Sequence, residues 1–345
     1  MHRLGSRLQR SVIKTVDNNI LFCQFIQNCD LIKTGKKTVK ENKMSWTKVV
    51  AITGCDSGLG WAIAARAARE GLVTVAGMYQ GTDTEASEAL KNLCAHPFKL
   101  DVTDSRSVIE FRDYVKSVVQ NNPNHKLYAV INNAGVMTIG DYEWQTPQII
   151  ENTININLLG AMRVVSAFLP DLRINANNGL KPRIINVASH CGLQPLPGFG
   201  PYSASKAGLL AWTRALQLEH VEDDLKVVAF IPGGFVQSSN LLGSQYLNGT
   251  AMLENLSEEQ RILHEKRITN LNNYLKYASN NTRFDSMNNE NLIETFMKTL
   301  TENKPKKMYK VESWRYKFYY NLLKIPFPDT IYKWLVKKFL KFPEN

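Results

Sequence analysis

Short apolar runs alternate with longer runs of helical period from residue 48 to about residue 230. The apolar runs are predicted as strands at 49–53, 72–76, 97–100, 127–131, 183–187 and 227–230. The runs between them predict helices at 58–70, about 82–93, 105–120, about 148–173 and about 201–220. Because strands that are apolar throughout are buried on both faces, the alternation predicts a doubly wound α/β fold with a parallel sheet between two layers of helices.

A glycine-rich turn follows the first predicted strand, with the sequence Thr53-Gly54-Cys55-Asp56-Ser57-Gly58-Leu59-Gly60. Glycines let the backbone approach a pyrophosphate closely, and the helix after the turn offers unpaired N–H groups and a partial positive charge. The spacing is Gly-x3-Gly-x-Gly rather than the more frequent Gly-x-Gly-x2-Gly. A strand, a glycine turn and a helix in this order predict a Rossmann-type dinucleotide-binding fold, here as a single domain.

The pattern changes after the sixth predicted strand. Residues 236–303 are polar and Asn-rich, with helical character at 257–279 and 290–301. A helical insertion at this point typically forms a lid over the substrate. Residues 308–311 are predicted as a final edge strand. The domain is therefore expected at 47–312, between a basic, flexible extension at 1–46 and a C-terminal extension at 313–345.

The net charge of +11 is concentrated at the two ends of the chain. Residues 1–46 carry nine Lys or Arg against three Asp or Glu, and residues 304–345 carry eleven against three, which leaves the body slightly acidic. A nucleic-acid-binding protein carries its basic patch on the folded domain, so nucleic acid is not an expected partner. The five cysteines and six histidines lack metal-ligand spacing, and no metal is expected.

Aromatic residues and lysines are interleaved at 313–342, for example around Trp314, Phe318, Tyr332 and Trp334. Two interpretations stay open. Aromatics among lysines are typical of a peripheral contact with a membrane surface. The same aromatics would equally pack on the domain and leave the lysines in solvent.

The first sixteen residues are basic and lack acidic residues, which is typical of a mitochondrial presequence. A flexible basic extension is the simpler interpretation. No run approaches the ~20 apolar residues of a membrane-spanning helix. The expected location is therefore intracellular, in the cytoplasm or on the cytoplasmic face of the endoplasmic reticulum, rather than mitochondrial.

Tyr202 and Lys206 stand four residues apart and would share one face of a helix. A tyrosine has a pKa of about 10, and a nearby ammonium lowers it and makes the phenol a usable general acid or base. Ser189, just after the fifth strand, would hydrogen-bond a substrate oxygen or only cap a turn. Asn157 is predicted in the middle of a helix, where asparagine is unfavourable, which suggests a buried polar role or a solvent-facing one.

Six motifs occur in order between residues 48 and about 240: Thr53-Gly-x3-Gly-x-Gly60, Asn132-Asn-Ala-Gly135, Asn157, Ser189, Tyr202-x3-Lys206 and Pro232-Gly233. In this combination the chain resembles the short-chain dehydrogenase/reductase family. The resemblance implies an enzyme that transfers a hydride between a nicotinamide cofactor and an alcohol or carbonyl group.

The family's functional residues fall on matching positions of this sequence. The resemblance implies Tyr202 as general acid/base, Lys206 as the group that lowers its pKa and binds the nicotinamide ribose, Ser189 as the holder of the substrate oxygen, and Asn157 as support for a proton-relay water. The cofactor-binding residues implied are Thr53, Gly54, Asp56, Ser57, Gly58, Leu59, Gly60, Asp101, Val102, Asn133, Ala134, Gly135, Tyr202, Lys206, Pro232, Gly233 and Phe235.

The glycine turn is similar to that of the branch containing retinol, 17β-hydroxysteroid and 3-hydroxybutyrate dehydrogenases. Other phrases are similar to insect members that act in ecdysteroid biosynthesis. The implied substrate is a small apolar, steroid-like alcohol or ketone, with retinol or 3-hydroxybutyrate as the alternative. A non-catalytic cofactor-binding sensor or scaffold is a rival of another class, although it would not need the complete catalytic set. The family also implies a homodimer or homotetramer.

Two positions depart from the family's pattern. The second strand is followed by Gly77-Met78, where the family often has an acid for NAD or an arginine for NADP. Asp56, without a basic residue beside it, would repel a 2′-phosphate, so NAD is the expected cofactor and NADP is not excluded. The threonine that commonly follows Pro-Gly is replaced by Gln237-Ser238, which leaves its contact with the nicotinamide carboxamide open.

Overall fold

Seven strands form one parallel sheet within the residues that the structure describes. The computed structural model describes residues 46–234, 238–279 and 283–340. The strands are β1 Thr47–Thr53, β2 Val73–Met78, β3 His96–Lys99, β4 His125–Asn132, β5 Arg183–Val187, β6 Lys226–Gly233 and β7 Met308–Glu312. Their order across the sheet is β3-β2-β1-β4-β5-β6-β7. All the strands that the sequence predicts are present, including the edge strand.

Helices follow the strands on both faces of the sheet. They are α1 Gly58–Arg69, α2 Glu85–Lys91, α3 Ser105–Gln120, α4 Pro147–Ile154, α5 Ala161–Asn177, α6 Gly200–Glu219, α7 Gln245–Asn255, α8 Glu258–Ser279, α9 Glu290–Thr301, α10 Trp314–Leu322 and α11 Asp329–Leu340. A π-helical turn at Asn155–Gly160 joins α4 and α5. The helix predicted at 148–173 is therefore present with an irregularity that hydrophobic periodicity does not reveal.

The side chains of each inner strand alternate between two apolar clusters on opposite faces of the sheet. Val50 and Ile52 of β1 pack with α1, α2 and α9. Val49 and Ala51 pack with α3 and α5 on the other face. All four side chains are fully buried. The sheet is therefore covered on both sides, and the predicted doubly wound fold is confirmed.

The direction of the strand order reverses at β1, which pairs with β2 on one side and with β4 on the other. Ligands of open α/β sheets bind in the crevice that such a reversal leaves at the carboxyl ends of the strands. The glycine turn after β1 and the Asn133-Ala134-Gly135 segment after β4 meet at this point.

The helical stretch Pro147–Asn177 is apolar enough to cross a membrane when only length and composition are considered. Its side chains Val164, Phe168 and Leu172 are fully buried and pack with β1, β4 and β5. We therefore describe it as a core helix of the sheet.

The segment predicted as a lid, 236–303, contains helices of two kinds. Helices α7 and α8 pack together and bury Met252 and Ile268 against Trp144. Helix α9 instead inserts Leu292 and Phe296 into the core beneath the sheet. It belongs to the helical layer of the domain, and a lid role stays a prediction for α7 and α8.

The C-terminal segment forms α10 and α11, which pack on the domain through one face. On this inner face Tyr316, Tyr320 and Phe339 join an apolar cluster that includes Tyr202. The outer face leaves large apolar side chains in solvent, namely Trp314, Phe318, Ile325, Ile331 and Trp334. The packing interpretation of the sequence therefore holds for the inner face, and the outer face keeps the pattern that suggests a membrane contact.

Candidate active site

A cavity of about 1060 Å³ lies at the carboxyl ends of β1, β4, β5 and β6. Single small-molecule sites typically have about 300–1,000 Å³, so this cavity suits a large ligand or two ligands together. Most of the predicted site residues line it: Gly54, Asp56, Ser57, Leu59, Gly60, Asp101, Val102, Asn133, Ala134, Gly135, Ser189, Tyr202, Lys206, Pro232 and Gly233. Thr53, Gly58 and Asn157 lie behind this lining, and Phe235 and Gln237 lie outside the described residues.

The glycine turn has the conformation of a phosphate-binding loop. Gly54 and Gly58 have φ values of 72° and 58°, which L side chains rarely adopt. A Cβ on Gly60 would lie 2.1 Å from the carbonyl oxygen of Gly54, so only glycine fits there. Ser57 makes no side-chain hydrogen bond to the amides of α1, and a helix N-terminus without such a cap suits a phosphate. The turn therefore fits the pyrophosphate of a dinucleotide.

Thr53 and Asn133 fix the two loops on either side of the crevice. The Thr53 hydroxyl accepts hydrogen bonds from the N–H groups of Asn133 at 3.1 Å and Ala134 at 3.0 Å. The Asn133 amide donates to the carbonyl oxygens of Thr53 at 3.1 Å and Gly54 at 3.0 Å. Thr53 is buried behind the cavity lining, so the structure gives it a bracing role.

Asp56 connects the glycine turn to the end of β2. Its carboxylate accepts hydrogen bonds from the backbone N–H groups of Tyr79 at 2.9 Å and Gln80 at 2.7 Å, directly after that strand. An acid at the end of the second strand is the usual partner of the ribose 2′-hydroxyl of NAD. The Asp56 carboxylate therefore lies beside the end of β2, and its contact with the ribose stays a prediction.

Asp101 and Val102 line the cavity after β3, on the side of the glycine turn. The Asp101 carboxylate accepts hydrogen bonds from the N–H and the hydroxyl of Thr103, at 2.8 Å and 2.7 Å. This local turn fixes the segment that the sequence predicts to contact the adenine.

Tyr202 and Lys206 lie in the first two turns of α6, and both are almost fully buried. Burial raises the pKa of Tyr202, a nearby Cys191 thiol acts in the same direction, and a hydrogen bond with Ser189 opposes them. Burial lowers the pKa of Lys206 to about 8, and its ammonium donates to the Val187 carbonyl at 3.0 Å.

Burial decides the net direction of the Tyr202 pKa shift, and the opposing effect of the Lys206 ammonium stays a prediction. Desolvation disfavours the charged forms of both residues, and for the phenol it outweighs the other influences. Tyr202 therefore holds its proton at neutral pH.

Ser189 caps the short 3₁₀ turn His190–Gly192, and its contact with a substrate oxygen stays a prediction. Its hydroxyl accepts a hydrogen bond from the Cys191 N–H at 3.2 Å, so it caps the turn. It also lines the cavity and interacts with the phenol of Tyr202. A substrate oxygen placed between the two hydroxyl groups would meet both.

Asn157 lies in the π-helical turn and joins three parts of the site. Its Oδ1 accepts from the Val136 N–H at 2.8 Å, and its Nδ2 donates to the Val136 carbonyl at 2.9 Å and to the Ser205 hydroxyl at 3.0 Å. Both amide hydrogens are therefore used within the protein. This geometry gives Asn157 a positioning role, and support of a relay water stays a prediction.

The sequence profile described as short chain dehydrogenase matches residues 48–243, which is more than half of the chain. The chain belongs to the short-chain dehydrogenase family. It is accordingly a nicotinamide-dependent oxidoreductase, in agreement with the phosphate-binding conformation of the glycine turn.

Three curated relatives are similar to this chain. Mouse retinol dehydrogenase 16 is 30% identical over 279 residues, which cover 79% of this chain and 83% of that protein. Bovine mitochondrial D-beta-hydroxybutyrate dehydrogenase is 31% identical over 201 residues, 57% of each protein. Mouse estradiol 17-beta-dehydrogenase 2 is 32% identical over 199 residues, 57% of this chain and 50% of that protein. The matches thus span 57% of the length of the bovine relative and 50% of the length of the estradiol dehydrogenase.

Solved structures agree on the fold. A short-chain dehydrogenase/reductase from Burkholderia phymatum in complex with NAD has a TM-score of 0.63 at 18% identity, covering 81% of this chain and 94% of that one. A 3-ketoacyl-(acyl-carrier-protein) reductase from Brucella melitensis complexed with NADH has a TM-score of 0.52 at 25% identity, covering 58% of this chain and 80% of that one.

Some residues that line the cavity are not assigned to the site by the sequence, and three of them lie after residue 243, where the family profile ends. Tyr316, Tyr320 and Phe339 from α10 and α11 line the cavity, together with Cys191. The Cys191 Sγ lies 3.7 Å from the Tyr320 hydroxyl. The interleaved aromatics of the C-terminal segment were a signal for these residues, but the sequence alone gives no reason to place them beside Tyr202.

His190 is the second residue whose role only the fold reveals. Its Nε2 lies 3.1 Å from the Glu312 carboxylate at the end of β7, and its ring meets Tyr320 edge-on with centroids 4.9 Å apart. Burial lowers the pKa of His190, and the Glu312 carboxylate opposes this effect. His190 thus joins the turn that carries Ser189 to the C-terminal segment.

Proposed function

We propose that this protein transfers a hydride between NAD and an apolar, steroid-like alcohol or ketone. One observation carries the proposal. Ser189, Tyr202 and Lys206 line the same cavity as the glycine turn, and the side chains around Tyr202 are apolar or aromatic. Residues suited to hold a cofactor and residues suited to transfer a proton thus line one cavity, which supports a dehydrogenase.

Tyr202 is the general acid/base in this proposal. Because burial raises its pKa, the phenol holds a proton at neutral pH that it donates to a substrate carbonyl oxygen, and the phenolate accepts the hydroxyl proton in the reverse direction. The Ser189 hydroxyl donates a hydrogen bond to the same oxygen. Lys206, with a pKa of about 8, is largely charged at neutral pH and favours the phenolate once it forms.

The cofactor would be held along the glycine turn, Asp101-Val102 and Asn133. When bound, NAD supplies the hydride acceptor of the oxidation. Lys206 would contact the nicotinamide ribose, and Asn157 would keep the Val136 loop in place. The carboxylate of Asp56 supports NAD over NADP.

An apolar substrate is supported by the walls of the cavity near Tyr202. They include Met137, Ile139, Leu196 and Phe199. A short hydroxy acid needs a charged anchor for its carboxylate. Among the described residues that line the cavity, Arg315 is the one arginine. Its Nη2 donates to the carbonyl oxygens of Lys338 and Phe339, at 3.2 Å and 2.7 Å. The apolar walls near Tyr202 support a steroid or retinol, and the remaining N–H donors of Arg315 keep 3-hydroxybutyrate as the alternative.

The sequence supports a narrower class of substrate. Phrases at 132–137, 142–145 and 183–194 resemble the insect enzyme Shroud, which is assigned to ecdysteroid biosynthesis. We therefore propose a steroid of that pathway as the substrate. Retinol is the second candidate substrate, because the similarity to mouse retinol dehydrogenase 16 extends over 79% of this chain.

Turnover by the purified protein tests the proposal. Absorbance of the reduced cofactor is followed with NAD and NADP against a panel of sterols, retinol and 3-hydroxybutyrate. We expect steroid turnover with NAD, and a loss of kcat of about 100-fold or more in Tyr202→Phe with cofactor binding retained. Tyr142→Phe, at an exposed tyrosine, is the matched control.

The outcomes also separate the rival functions. A preference for 3-hydroxybutyrate would contradict the steroid proposal and leave the dehydrogenase. Full activity of Tyr202→Phe would contradict the catalytic assignment. Cofactor binding without turnover of any compound in the panel would favour the sensor or scaffold.

We also propose that the outer face of α10 and α11 contacts a lipid surface with anionic headgroups. Trp314, Phe318 and Trp334 are more than half exposed, and lysines lie among them, with the Lys338 ammonium 4.7 Å from the Trp334 ring centroid. Exposed aromatics suit the membrane interface, and lysines suit anionic lipids.

Vesicle co-sedimentation tests this contact. The protein is expected to bind phosphatidylserine-containing vesicles at low salt, to bind pure phosphatidylcholine vesicles less, and to lose binding when Phe318→Ser and Trp334→Ser are combined. Tyr142→Ser serves as a control for loss of an exposed aromatic elsewhere. Equal sedimentation of the double variant would contradict the proposal.

Location and assembly are proposed from family membership. We propose an intracellular protein, in the cytoplasm or on the cytoplasmic face of the endoplasmic reticulum, that forms a homodimer or homotetramer. The name of the bovine relative places that protein in mitochondria, which is the alternative. Light scattering after gel filtration tests the assembly, and a mass of one chain would contradict it.

A further inference from the structure

Three aromatic side chains of the C-terminal segment form one wall of the cavity that contains Tyr202. We call Tyr316, Tyr320 and Phe339 the aromatic wall. The rings of Tyr316 and Tyr320 are nearly parallel, with centroids 5.6 Å apart, and Phe339 meets them edge-on at 4.9 Å and 5.6 Å. The family profile ends at residue 243, so this wall comes from a part of the chain that the family match does not cover.

Contacts on several sides fix the position of the aromatic wall. Arg315 donates to the carbonyl oxygen of Phe339 at 2.7 Å, which joins α10 to the end of α11. Gln194 donates to the hydroxyl of Tyr332 at 2.8 Å, which joins α11 to the loop after β5. Gly234 leaves the space that Tyr316 occupies, because a Cβ there would lie 3.0 Å from its ring. A surface held in this way is ready for a ligand without reorganisation.

The aromatic wall carries two hydroxyl groups, those of Tyr316 and Tyr320, and Tyr320 is the more deeply buried of the two. The Tyr320 side chain is only 4% exposed, and its hydroxyl lies 3.7 Å from the Cys191 Sγ. A thiol is a weak hydrogen-bond partner. Burial raises the pKa of Tyr320 strongly, so the hydroxyl keeps its proton and is a donor. A buried donor that faces a cavity with so weak a partner favours a ligand that accepts its hydrogen bond.

We propose that Tyr320 determines substrate specificity. The rings of the aromatic wall hold a flat apolar ring system, and the Tyr320 hydroxyl donates to a second oxygen of the substrate, distinct from the one that Ser189 and Tyr202 hold. The inference rests on the proposed function, because it needs an apolar alcohol or ketone beside Tyr202. It adds that the preferred substrates carry two oxygens, and that the C-terminal segment selects them.

The test compares Tyr320→Phe with Tyr319→Phe, its neighbour on α10, which is absent from the cavity lining. Each protein is assayed with NAD and a set of steroids that differ in the presence and position of a second oxygen, estradiol and cholesterol among them. Steroid affinity is measured separately by quenching of the protein's fluorescence.

For the preferred two-oxygen steroid we expect Tyr320→Phe to raise KM and Kd roughly three- to tenfold, as befits one hydrogen bond, with kcat changed by less than about twofold. The preference for that steroid over the one-oxygen compound falls by the same factor. Tyr319→Phe is expected to behave like the unmodified protein.

The results that would overturn the inference are distinct from those that overturn the proposed function. If Tyr202-dependent steroid turnover is present but Tyr320→Phe keeps the same KM and Kd for every steroid, or raises them equally for all, only this inference fails. If steroids bind without turnover and Tyr320→Phe weakens the two-oxygen ligands selectively, the inference stands and the proposed activity fails. If no steroid binds, both fail.

Discussion

Burial sets the protonation of Tyr202 and Lys206. Each side chain is at most 5% exposed, and desolvation disfavours the charged form of both. The pKa of the phenol therefore rises, and the pKa of the ammonium falls to about 8. A Tyr-x3-Lys spacing places one charge near the phenol, but it does not reveal the low-dielectric medium around both groups.

The direction of these shifts predicts the pH dependence of the two reaction directions. Because Tyr202 keeps its proton to high pH, reduction of a ketone should be constant through the neutral range, and oxidation of an alcohol should rise as the pH becomes alkaline. Initial rates in both directions from about pH 6 to about pH 10 measure this.

Ser189 provides the internal comparison for the pH profile. Its hydrogen bond lowers the pKa of Tyr202, so Ser189→Ala should move the rise of the oxidation rate to still higher pH. An oxidation rate that is highest on the acidic side of neutrality would contradict the assignment of Tyr202 as the base.

Asp56 is the residue that should decide between NAD and NADP. Its carboxylate lies against the amides after β2, where a 2′-phosphate would meet like charge. Asp56→Asn keeps an oxygen acceptor and removes the charge, so the kcat/KM ratio of NADP to NAD should rise roughly tenfold or more. Asp83→Asn, at an exposed acid in the same loop region, should leave the ratio unchanged. Equal effects of the two substitutions would show a general charge effect instead.

At the scale of elements, the π-helical turn between α4 and α5 aims Asn157 at the loop after β4. Such turns are frequent at functional sites because they displace one side chain from the regular helical face. Here the displaced side chain pairs with both polar backbone groups of Val136 and reaches Ser205 on α6. One asparagine thus fixes the relative position of two helices and a loop that borders the cofactor site.

Replacement of Asn157 should therefore affect stability as well as activity. Asn157→Ala leaves the part-buried backbone N–H and carbonyl of Val136 without this partner, which should lower the free energy of unfolding by about 1–3 kcal/mol and reduce kcat. Urea unfolding followed by circular dichroism measures the first effect. Asn177→Ala, at an exposed site in the last turn of α5, should change the free energy of unfolding by less than about 0.5 kcal/mol. An unchanged stability of Asn157→Ala would show that the hydrogen bonds of Asn157 do not stabilise the fold.

At the scale of the whole molecule, the C-terminal segment has an inner and an outer face with different tasks. The inner face buries Leu335, Val336 and Phe339 over the cavity that contains Tyr202. The outer face exposes Ile331 and Trp334. A segment that completes the substrate pocket on one side can therefore contact a surface on the other.

Two substitutions on α11 separate these faces. Leu335 is 5% exposed, so Leu335→Ala should lower the free energy of unfolding by about 2–5 kcal/mol and also raise KM for an apolar substrate. Ile331 is 44% exposed, and Ile331→Ala should change stability by less than about 0.5 kcal/mol. Thermal and urea unfolding check both values, and equal losses would contradict the two-faced arrangement.

The sheet was predictable because its determinants are local. Apolar runs with glycine or asparagine at their carboxyl ends predict β1 and β4, and both faces of these strands are buried as expected. Helix α9 shows the limit of this reasoning. Its polar surroundings suggested a lid, whereas Leu292 and Phe296 complete the core under the sheet.

The sequence by itself determined the succession of strands and helices along the chain and the glycine turn, because these depend on local patterns, and the residues proposed for chemistry followed from the resemblance to a known family. Tertiary structure alone decided the directions of the pKa shifts and the composition of the substrate wall. Cys191 and Tyr320 meet across 129 residues, and no local pattern encodes such a contact. Desolvation likewise depends on everything packed around a group, so it becomes defined only when the chain has folded.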